Sequence, residues 1–281
     1  MISILSLFVF HSLTLAAAPT EKCASGDAGG QSFRWCARLP ADPRPGTVLF
    51  YLHGNGGDER GWNVPSHDLL ERSIEAKGKK VPVVVTISFG ATWFLSDTEG
   101  FRRSSLLAAY VEATQKVEKS LNLSALKERW LMGESMGGFN ALQLYFKRPA
   151  LFSRVVSYCP AVLNFSPFAP RSEVEAYISR HEPYVIRKLV EKWRDKMRNE
   201  YSTPAAWVAH DPRALDKPQN DPKLFMGANG RDVFGFQEGT EVVRKKLQQQ
   251  KAKLEWQFVD AGGHCDYDDR TMTALAAFLA P

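Results

Sequence analysis

The sequence has few cysteines and lacks the residue spacings that commonly hold metal ions. Four cysteines occur among 281 residues, and neither C-x-x-C nor H-E-x-x-H is present. Zinc sites of these two types are therefore not predicted. The six histidines leave few candidates for a group that moves protons.

The chain also lacks an apolar run long enough to be predicted as a membrane anchor, which requires about 20 residues. Ile2 to Val9 is strongly apolar, but the run is shorter than that and is broken by Ser and His. The small residues Leu15 to Ala18 follow, as at the end of a secretory signal peptide, although no Lys or Arg precedes the run. We therefore predict a signal peptide over residues 1–18, export to the periplasm or the extracellular space, and no stable insertion into a membrane.

Internal repeats and one-signed charge blocks are absent as well. The net charge is +5, and the Lys and Arg residues are dispersed among 31 acidic residues. This pattern indicates a solvated surface and no nucleic-acid partner. With 44% hydrophobic residues, the chain can bury a core of its own, so we predict a single domain over residues 19–281.

The most informative stretch reads G-E-S-M-G-G over residues 133–138. Apolar residues before it predict a buried strand, and residues 139–147 predict a helix that Arg148-Pro149 ends. A serine in G-x-S-x-G between a strand and a helix lies on a sharp turn that exposes its hydroxyl. We therefore predict that Ser135 is a nucleophile, with an ordinary glycine-rich turn as the alternative.

A second glycine-rich segment reads H-G-N-G-G-D over residues 53–58 and follows the apolar run 48–52. Acyl transfer places a negative charge on the former carbonyl oxygen, and backbone N–H groups aimed at that oxygen stabilise it. We predict that the amides of Asn55 and Met136 form such an oxyanion hole. His53 is interpreted as a brace for this loop.

The base and the acid are assigned by position along the chain. His264 follows a strand pattern and two glycines, whereas His67 is interpreted as part of a surface helix. The order serine, acid, histidine places the acid between Ser135 and His264. We choose Asp232, which follows the strand pattern at 223–227, over its rivals Asp216, Asp221 and Glu238.

Together these segments resemble the putative-esterase family of α/β-hydrolases, which includes esterase D, feruloyl esterases and mycolyltransferases. The matching pieces are residues 53–58, 133–138, 227–232 and 262–264. The resemblance implies an α/β-hydrolase fold and a serine esterase that acts on a small-molecule carboxylic ester. Such an enzyme forms an acyl-enzyme and needs no cofactor or metal. A serine peptidase, an acyltransferase and, less favoured, a non-catalytic binding protein remain the alternatives.

The pattern along the chain predicts a mostly parallel central sheet flanked by helices. Strand-like runs lie near 31–38, 47–53, 82–88, 129–134, 154–159, 223–227 and 253–259, and helical stretches lie near 104–120, 137–147, 238–250 and 269–280. Residues 161–221 interrupt this alternation and are predicted to form a cap inserted after the sixth strand. Within the cap, one helix face is predicted to pack inward: Val185, Ile186, Leu189, Val190, Trp193 and Met197.

The cysteines and three aromatic residues complete the predictions. Cys23 and Cys36 flank a glycine-rich turn, which predicts a β-hairpin closed by a disulfide. Cys159 and Cys265 both follow predicted strands, where a second disulfide and two buried thiols are equal interpretations. The candidates for an apolar substrate-binding pocket, with core packing as the equal alternative, are Trp93, Phe94 and Tyr158.

Overall fold

The structure is a computed structural model that describes residues 18–92, 106–123, 125–165, 169–197 and 222–280. Residues 1–17 of the predicted signal peptide, and the pocket candidates Trp93 and Phe94, lie outside these ranges. No helix within the described ranges is long and apolar enough to cross a membrane.

Eight strands form one sheet in the described part of the chain. They are β1 Thr20–Ala28, β2 Gln31–Leu39, β3 Thr47–Leu52, β4 Val83–Ser88, β5 Glu128–Glu134, β6 Arg154–Tyr158, β7 Lys223–Asn229 and β8 Leu254–Val259. Their spatial order is β1-β2-β4-β3-β5-β6-β7-β8. The β1–β2 and β2–β4 pairs are antiparallel, and all pairs from β4 to β8 are parallel.

Helices cover both faces of this sheet. They are α1 Pro65–Ala76, α2 Leu106–Ser120, α3 Met136–Lys147, α4 Arg171–Ile178, α5 Pro183–Met197, α6 Phe236–Gln249 and α7 Asp269–Leu279. Alternate residues of β3 show the two layers, because side chains point to opposite faces with a period of two. Val48 and Phe50 pack with α2 and α3, whereas Leu49 and Tyr51 pack with α1 and α7. The predicted sheet with flanking helices is confirmed.

The parallel strands bring distant segments to one edge of the sheet. Strands β3, β5, β6, β7 and β8 run in the same direction, so their carboxyl ends lie at a common edge. Each sequence-predicted segment follows one of these ends: the glycine-rich loop at 53–58, Ser135, Cys159, Asp232 and His264. The fold therefore gathers residues that are more than 200 positions apart in the sequence, as expected for open α/β sheets.

The chain between β6 and β7 contains the helices α4 and α5. Ile186, Leu189 and Val190 are buried against the main core, as the amphipathic pattern predicts. Val185 is 38% exposed, so its predicted inward position is wrong. It precedes Ile186 by one residue, about 100° around the helix, and therefore lies at the rim of the buried stripe.

The first two strands form the predicted hairpin. Cys23 and Cys36 are directly paired across β1 and β2, with their Cα atoms 4.1 Å apart and their sulfurs bonded. Most of β1 is solvent-exposed, and it lies at the edge of the sheet. The disulfide therefore fastens an edge strand that buries little apolar surface of its own.

Candidate active site

Ser135 lies in a strained turn between β5 and α3. Its φ is +56° and its ψ is −118°, a conformation that side-chain-bearing residues rarely adopt and that costs about 1–3 kcal/mol. Two backbone hydrogen bonds fasten the turn to the end of β6. The Ser135 N–H donates to the Tyr158 carbonyl at 3.2 Å, and the Ser135 carbonyl accepts from the Ala161 N–H at 3.0 Å.

The glycines around Ser135 allow α3 to approach the sheet closely. A β-carbon at Gly137 would overlap the carbonyl oxygen of Leu52, at the end of β3. A β-carbon at Gly133 would overlap the carbonyl of Gly137. The G-x-S-x-G-G pattern is thus a packing requirement of the strand-turn-helix unit as well as a motif.

His264 connects the serine to a carboxylate. Its Nε2 lies 2.9 Å from Ser135 Oγ, and its Nδ1 lies 2.7 Å from Asp232 Oδ2. Asp232 is 4% exposed, and its other oxygen accepts from the Phe234 N–H at 2.9 Å. A carboxylate on Nδ1 fixes the proton there, which leaves Nε2 free to accept a proton from the serine hydroxyl.

Among the rival acids, Glu238 is the one that the structure describes, and it does not take the place of Asp232 beside His264. Glu238 accepts a hydrogen bond from Asn164 Nδ2 at 2.7 Å and lies 3.1 Å from His181 Nε2. Its carboxylate is therefore engaged with the segment between β6 and β7. Asp216 and Asp221 lie outside the described residues.

The loop that carries His264 is fastened at several points. Cys265 is bonded to Cys159, whose Cα lies 5.3 Å away, so the position after the histidine is tied to the end of β6. The Asp266 carbonyl accepts from Asn229 Nδ2 at 2.7 Å and from the hydroxyl of Tyr158. Of the two interpretations for this cysteine pair, the structure fits the disulfide.

Tyr158 has a different environment from the one predicted for a substrate-binding residue. The side chain is fully buried, and its ring stacks on Tyr267 with the centroids 4.3 Å apart. Burial raises the pKa of the Tyr158 hydroxyl well above its usual value, so the group remains a donor. These contacts favour a role in holding the histidine loop over contact with an acyl group.

His53 braces the loop at 53–58. Its Nδ1 lies 2.8 Å from the Gly54 carbonyl, and its Nε2 lies 2.8 Å from Ser88 Oγ, which also accepts from the Gly90 N–H at 3.0 Å. These hydrogen bonds are mutually consistent when Nδ1 of His53 carries the proton and Nε2 accepts a hydrogen bond from the Ser88 hydroxyl. Burial lowers the pKa of His53, which favours that neutral form.

The braced loop lies beside Ser135. A β-carbon at Gly54 would lie 3.5 Å from that of Ser135, and a turn closed by a hydrogen bond of 3.1 Å from the Gly57 N–H to the Gly54 carbonyl follows. Asn55 is exposed within this turn. Met136 is the first residue of α3, so its N–H has no acceptor one turn earlier in the helix. Both predicted oxyanion residues thus lie on segments next to Ser135.

Two phenylalanines beside the histidine were missed by the sequence reasoning. Phe234 and Phe236 direct their rings edge-on toward His264, with centroids 4.8 Å and 5.6 Å away. They pack against the imidazole. The aromatic pair two and four residues after Asp232 was the signal that could have identified them.

His67 was also interpreted wrongly as a surface residue. It lies on α1, but its side chain is 1% exposed and its Nε2 lies 2.9 Å from Glu134 Oε1. The helix period explains the error, since His67, Leu70, Glu71 and Ile74 form one buried stripe. A polar contact therefore lies at Glu134, directly before Ser135.

Comparisons with known proteins agree with this architecture. The chain matches the sequence model of the family described as "Putative esterase" over residues 30–281. Among solved structures it is similar to a ferulic acid esterase, with 15% identity and a TM-score of 0.62, over 93% of this chain and 97% of that one. It is also similar to S-formylglutathione hydrolase from Staphylococcus aureus, with 15% identity and a TM-score of 0.61, over 94% and 100% of the two chains.

A thermostable esterase from Pseudomonas putida has 18% identity and a TM-score of 0.61, over 95% of this chain and 84% of that one. At such identities the structural likeness shows the fold. No curated protein matches this chain in sequence. The family match covers most of the chain, which confirms the resemblance seen in the motifs: the chain belongs to the putative esterase family and is an esterase with an α/β-hydrolase fold.

Proposed function

We propose that the chain hydrolyses carboxylic esters with Ser135, His264 and Asp232 as its catalytic triad. The observation that carries this proposal is the continuous hydrogen-bonded path from Asp232 through His264 to Ser135 Oγ, with distances of 2.7 and 2.9 Å. His264 Nε2 takes the serine proton while Oγ attacks the ester carbonyl. Asp232 keeps the imidazole oriented and stabilises the imidazolium that forms.

The rest of the reaction uses backbone groups and water. The amides of Asn55 and Met136 stabilise the negative oxygen of the tetrahedral intermediate, which lies at the N-terminus of α3. When the intermediate collapses, the alcohol takes the proton from His264 and leaves an acyl group on Ser135. A water molecule then loses a proton to His264 and attacks the acyl carbon. His264 returns that proton to Ser135 Oγ as the bond between Oγ and the acyl carbon breaks, which releases the acid and restores the serine. Every acting group comes from the chain or from water, so the mechanism needs no metal or organic cofactor.

A fluorophosphonate probe tests the nucleophile. It should label Ser135 with one-to-one stoichiometry, and Ser135→Ala should lower turnover of an activated ester on the order of a million-fold. Ser153→Ala is a matched control, because this exposed serine lies on the loop before β6, away from the carboxyl edge. Labelling at another serine, or near-normal turnover in Ser135→Ala, would contradict the proposal.

A substrate panel distinguishes the alternatives on the same fold. We expect aryl and alkyl esters of graded acyl length to be hydrolysed faster than amides with the same acyl groups. Equal or faster amide turnover would favour a peptidase. Transfer of the acyl group to an added alcohol in preference to water would favour an acyltransferase.

We further propose that residues 1–18 are removed on export, that residues 19–281 form the hydrolase domain and that residues 161–221 form its cap. Two disulfides in the described part of the chain suit an oxidising compartment. The intact mass of the exported protein should correspond to a chain that begins near Pro19. A mass that retains the first 18 residues would contradict this processing.

A further inference from the structure

Glu134, the residue before Ser135, is surrounded by three hydrogen-bonding side chains. Its side chain is 16% exposed. One oxygen accepts from the Tyr51 hydroxyl at 2.9 Å, and the other contacts His67 Nε2 at 2.9 Å and the hydroxyl of Tyr267. Burying a carboxylate is costly unless it is paired in this way.

The charge state of Glu134 fits these contacts. Burial by itself would raise the pKa of Glu134, but His67, Tyr267 and Tyr51 outweigh it and lower the pKa below its usual value. Burial and the neighbouring Glu134 raise the pKa of both tyrosines well above the usual value. The carboxylate is therefore an acceptor and both hydroxyls are donors, so each bond is charge-assisted.

The three partners come from different parts of the fold. Tyr51 is on β3 and His67 is on α1, so these two contacts fix Glu134 to the body of the molecule. Tyr267 lies three residues after His264, on the same loop. Its bond to Glu134 joins the segment of the base to the segment of the nucleophile, 133 positions apart in the chain.

The position of Tyr267 is itself well defined. Its ring stacks on that of Tyr158 at 4.3 Å, and the Tyr158 hydroxyl holds the backbone of the preceding residue, Asp266. Because the Tyr267 ring is held in place and its hydroxyl bonds Glu134, a shift of Glu134 would also shift the backbone near His264. Proton transfer depends on this placement, because a displacement of about 1 Å in an active site can lower the rate on the order of a hundred-fold.

We propose that Tyr267 and Glu134 are positioning residues that set the distance between His264 Nε2 and Ser135 Oγ. The inference rests on the proposed function, because it assigns His264 as the base and Ser135 as the nucleophile. Glu134 directly precedes Ser135 and Tyr267 lies three residues after His264, so each acts through the backbone that it shares with a member of the triad. The pair links the loop of His264 to the strand that ends directly before Ser135.

Tyr267→Phe and Tyr51→Phe form a matched pair for the test. Each removes one hydroxyl from the same carboxylate, but only the first removes a bond to the histidine loop. We expect Tyr267→Phe to lower kcat about ten-fold and to slow fluorophosphonate labelling of Ser135 by the same factor, with KM unchanged. Tyr51→Phe should lower the melting temperature comparably while kcat and the labelling rate stay near those of the native protein.

A double-mutant cycle tests whether Tyr267 acts through Glu134. Glu134→Gln keeps the size of the side chain but weakens its acceptor oxygens. The penalty of Tyr267→Phe on the labelling rate should then be smaller in the Glu134→Gln background than in the native one. Strictly additive penalties would overturn the proposal even if one single variant folded poorly.

The outcomes also separate this inference from the proposed function. If the native protein is not labelled at Ser135, the proposed function fails. If the native protein is labelled, and Tyr267→Phe is labelled at the native rate or slowed no more than Tyr51→Phe, the positioning role fails while the proposed function stands.

Discussion

The two disulfides lie in different regions of the sheet and join very different lengths of chain. Cys23–Cys36 connects paired residues of an antiparallel hairpin, 13 positions apart, at the edge formed by β1. Cys159–Cys265 connects the ends of two non-adjacent parallel strands, 106 positions apart, and one of its cysteines directly follows His264. One disulfide thus fastens an exposed edge strand, and the other fastens the loop of a candidate base.

Chain entropy alone would rank the two bonds by loop length. A disulfide that closes a loop of about 15 residues raises the free energy of unfolding by about 3 kcal/mol, and one that closes about 100 residues raises it by about 4.7 kcal/mol. The difference is small, so both bonds are expected to contribute to stability. Their effects on turnover should differ much more, because the hairpin holds no residue of the site. Measuring both stability and turnover after removal of each disulfide therefore distinguishes a structural role from a role in the candidate site.

A larger effect on turnover than that of removing either disulfide should come from changing Asp232, the carboxylate beside His264. In Asp232→Asn the histidine loop and its disulfide remain, but the amide favours the wrong imidazole tautomer. Turnover should fall about ten-thousand-fold with the fold retained. Steady-state kinetics and circular dichroism check this, with Glu238→Gln as the control that keeps most activity. A folded Asp232→Asn protein with near-normal turnover would move the acid elsewhere.

Removal of the Cys159–Cys265 disulfide, next to His264, should have the next largest effect on turnover. In a Cys159→Ala, Cys265→Ala double variant, the loop keeps its hydrogen bonds from Asn229 and Tyr158 but loses its covalent attachment. We expect kcat to fall on the order of a hundred-fold, with a smaller change in KM. Chemical denaturation should also show a lower free energy of unfolding. Unchanged kcat would mean that the hydrogen bonds alone hold His264.

The matched removal of the hairpin bond should leave turnover unchanged. A Cys23→Ala, Cys36→Ala double variant should lose about 3 kcal/mol of unfolding free energy, because the unfolded chain is no longer cross-linked. Urea titrations and ester turnover on the same preparation measure the two quantities. A loss of turnover equal to that of the other double variant would erase the distinction between the two regions. Peptide mapping of the native protein without reductant should recover both cysteine pairs as bonded peptides.

The smallest predicted effect concerns the loop at 53–58, which His53 braces through hydrogen bonds. Burial lowers the pKa of His53 in the folded state, so the unfolded chain binds its proton more readily. The contribution of His53 to stability is therefore present above about pH 6.5 and is lost as pH falls below it, by at most about 1.4 kcal/mol per pH unit. The pKa of Glu134 is lowered from its usual value of 4.5, so the contribution of Glu134 to stability is lost only below about pH 4.5. The pH ranges in which His53 and Glu134 affect stability are therefore separate.

Between pH 6.5 and 5, the free energy of unfolding should fall less steeply in His53→Asn than in the native protein. Urea titrations at several pH values provide the slopes. Identical slopes in the two proteins would show that His53 is not the titrating group. Activity at pH 7.5 should decrease modestly in this variant, because the loop loses its brace but keeps its glycine-rich turn.

Local patterns made much of the candidate site predictable from the sequence. The G-E-S-M-G-G stretch lies between a strand and a helix that directly adjoin it, Glu128–Glu134 and Met136–Lys147, so the pattern around it is readable over a short stretch of sequence. The positions of Asp232 and His264 follow from the strand patterns before them, because parallel strands bring their carboxyl ends to one edge. The hairpin of β1 was indicated by its cysteines and turn, although the exposed strand has no apolar alternation.

The wrong interpretation of His67, and the alternatives that the sequence left open for Tyr158 and for Cys159 with Cys265, concern side chains whose partners are distant in sequence. His67 pairs with Glu134, 67 positions away, and the polar composition of α1 hides the buried stripe that carries it. Tyr158 ends an apolar strand next to the site, and the sequence could not show that its hydroxyl bonds the Asp266 carbonyl, 108 positions away. Whether Cys159 and Cys265 meet likewise depends on the order of β6, β7 and β8 in the sheet.

The Cys159–Cys265 bond encloses the whole segment between β6 and β7 in a covalent ring. A protease that cuts between α5 and β7 would separate Ser135 from Asp232 and His264 in sequence, yet the two fragments would remain one molecule until the bond is reduced. The same closure means that insertions or deletions in this segment change the ring's circumference without releasing the histidine. The length of this segment can therefore change while the loop of His264 stays attached to the end of β6.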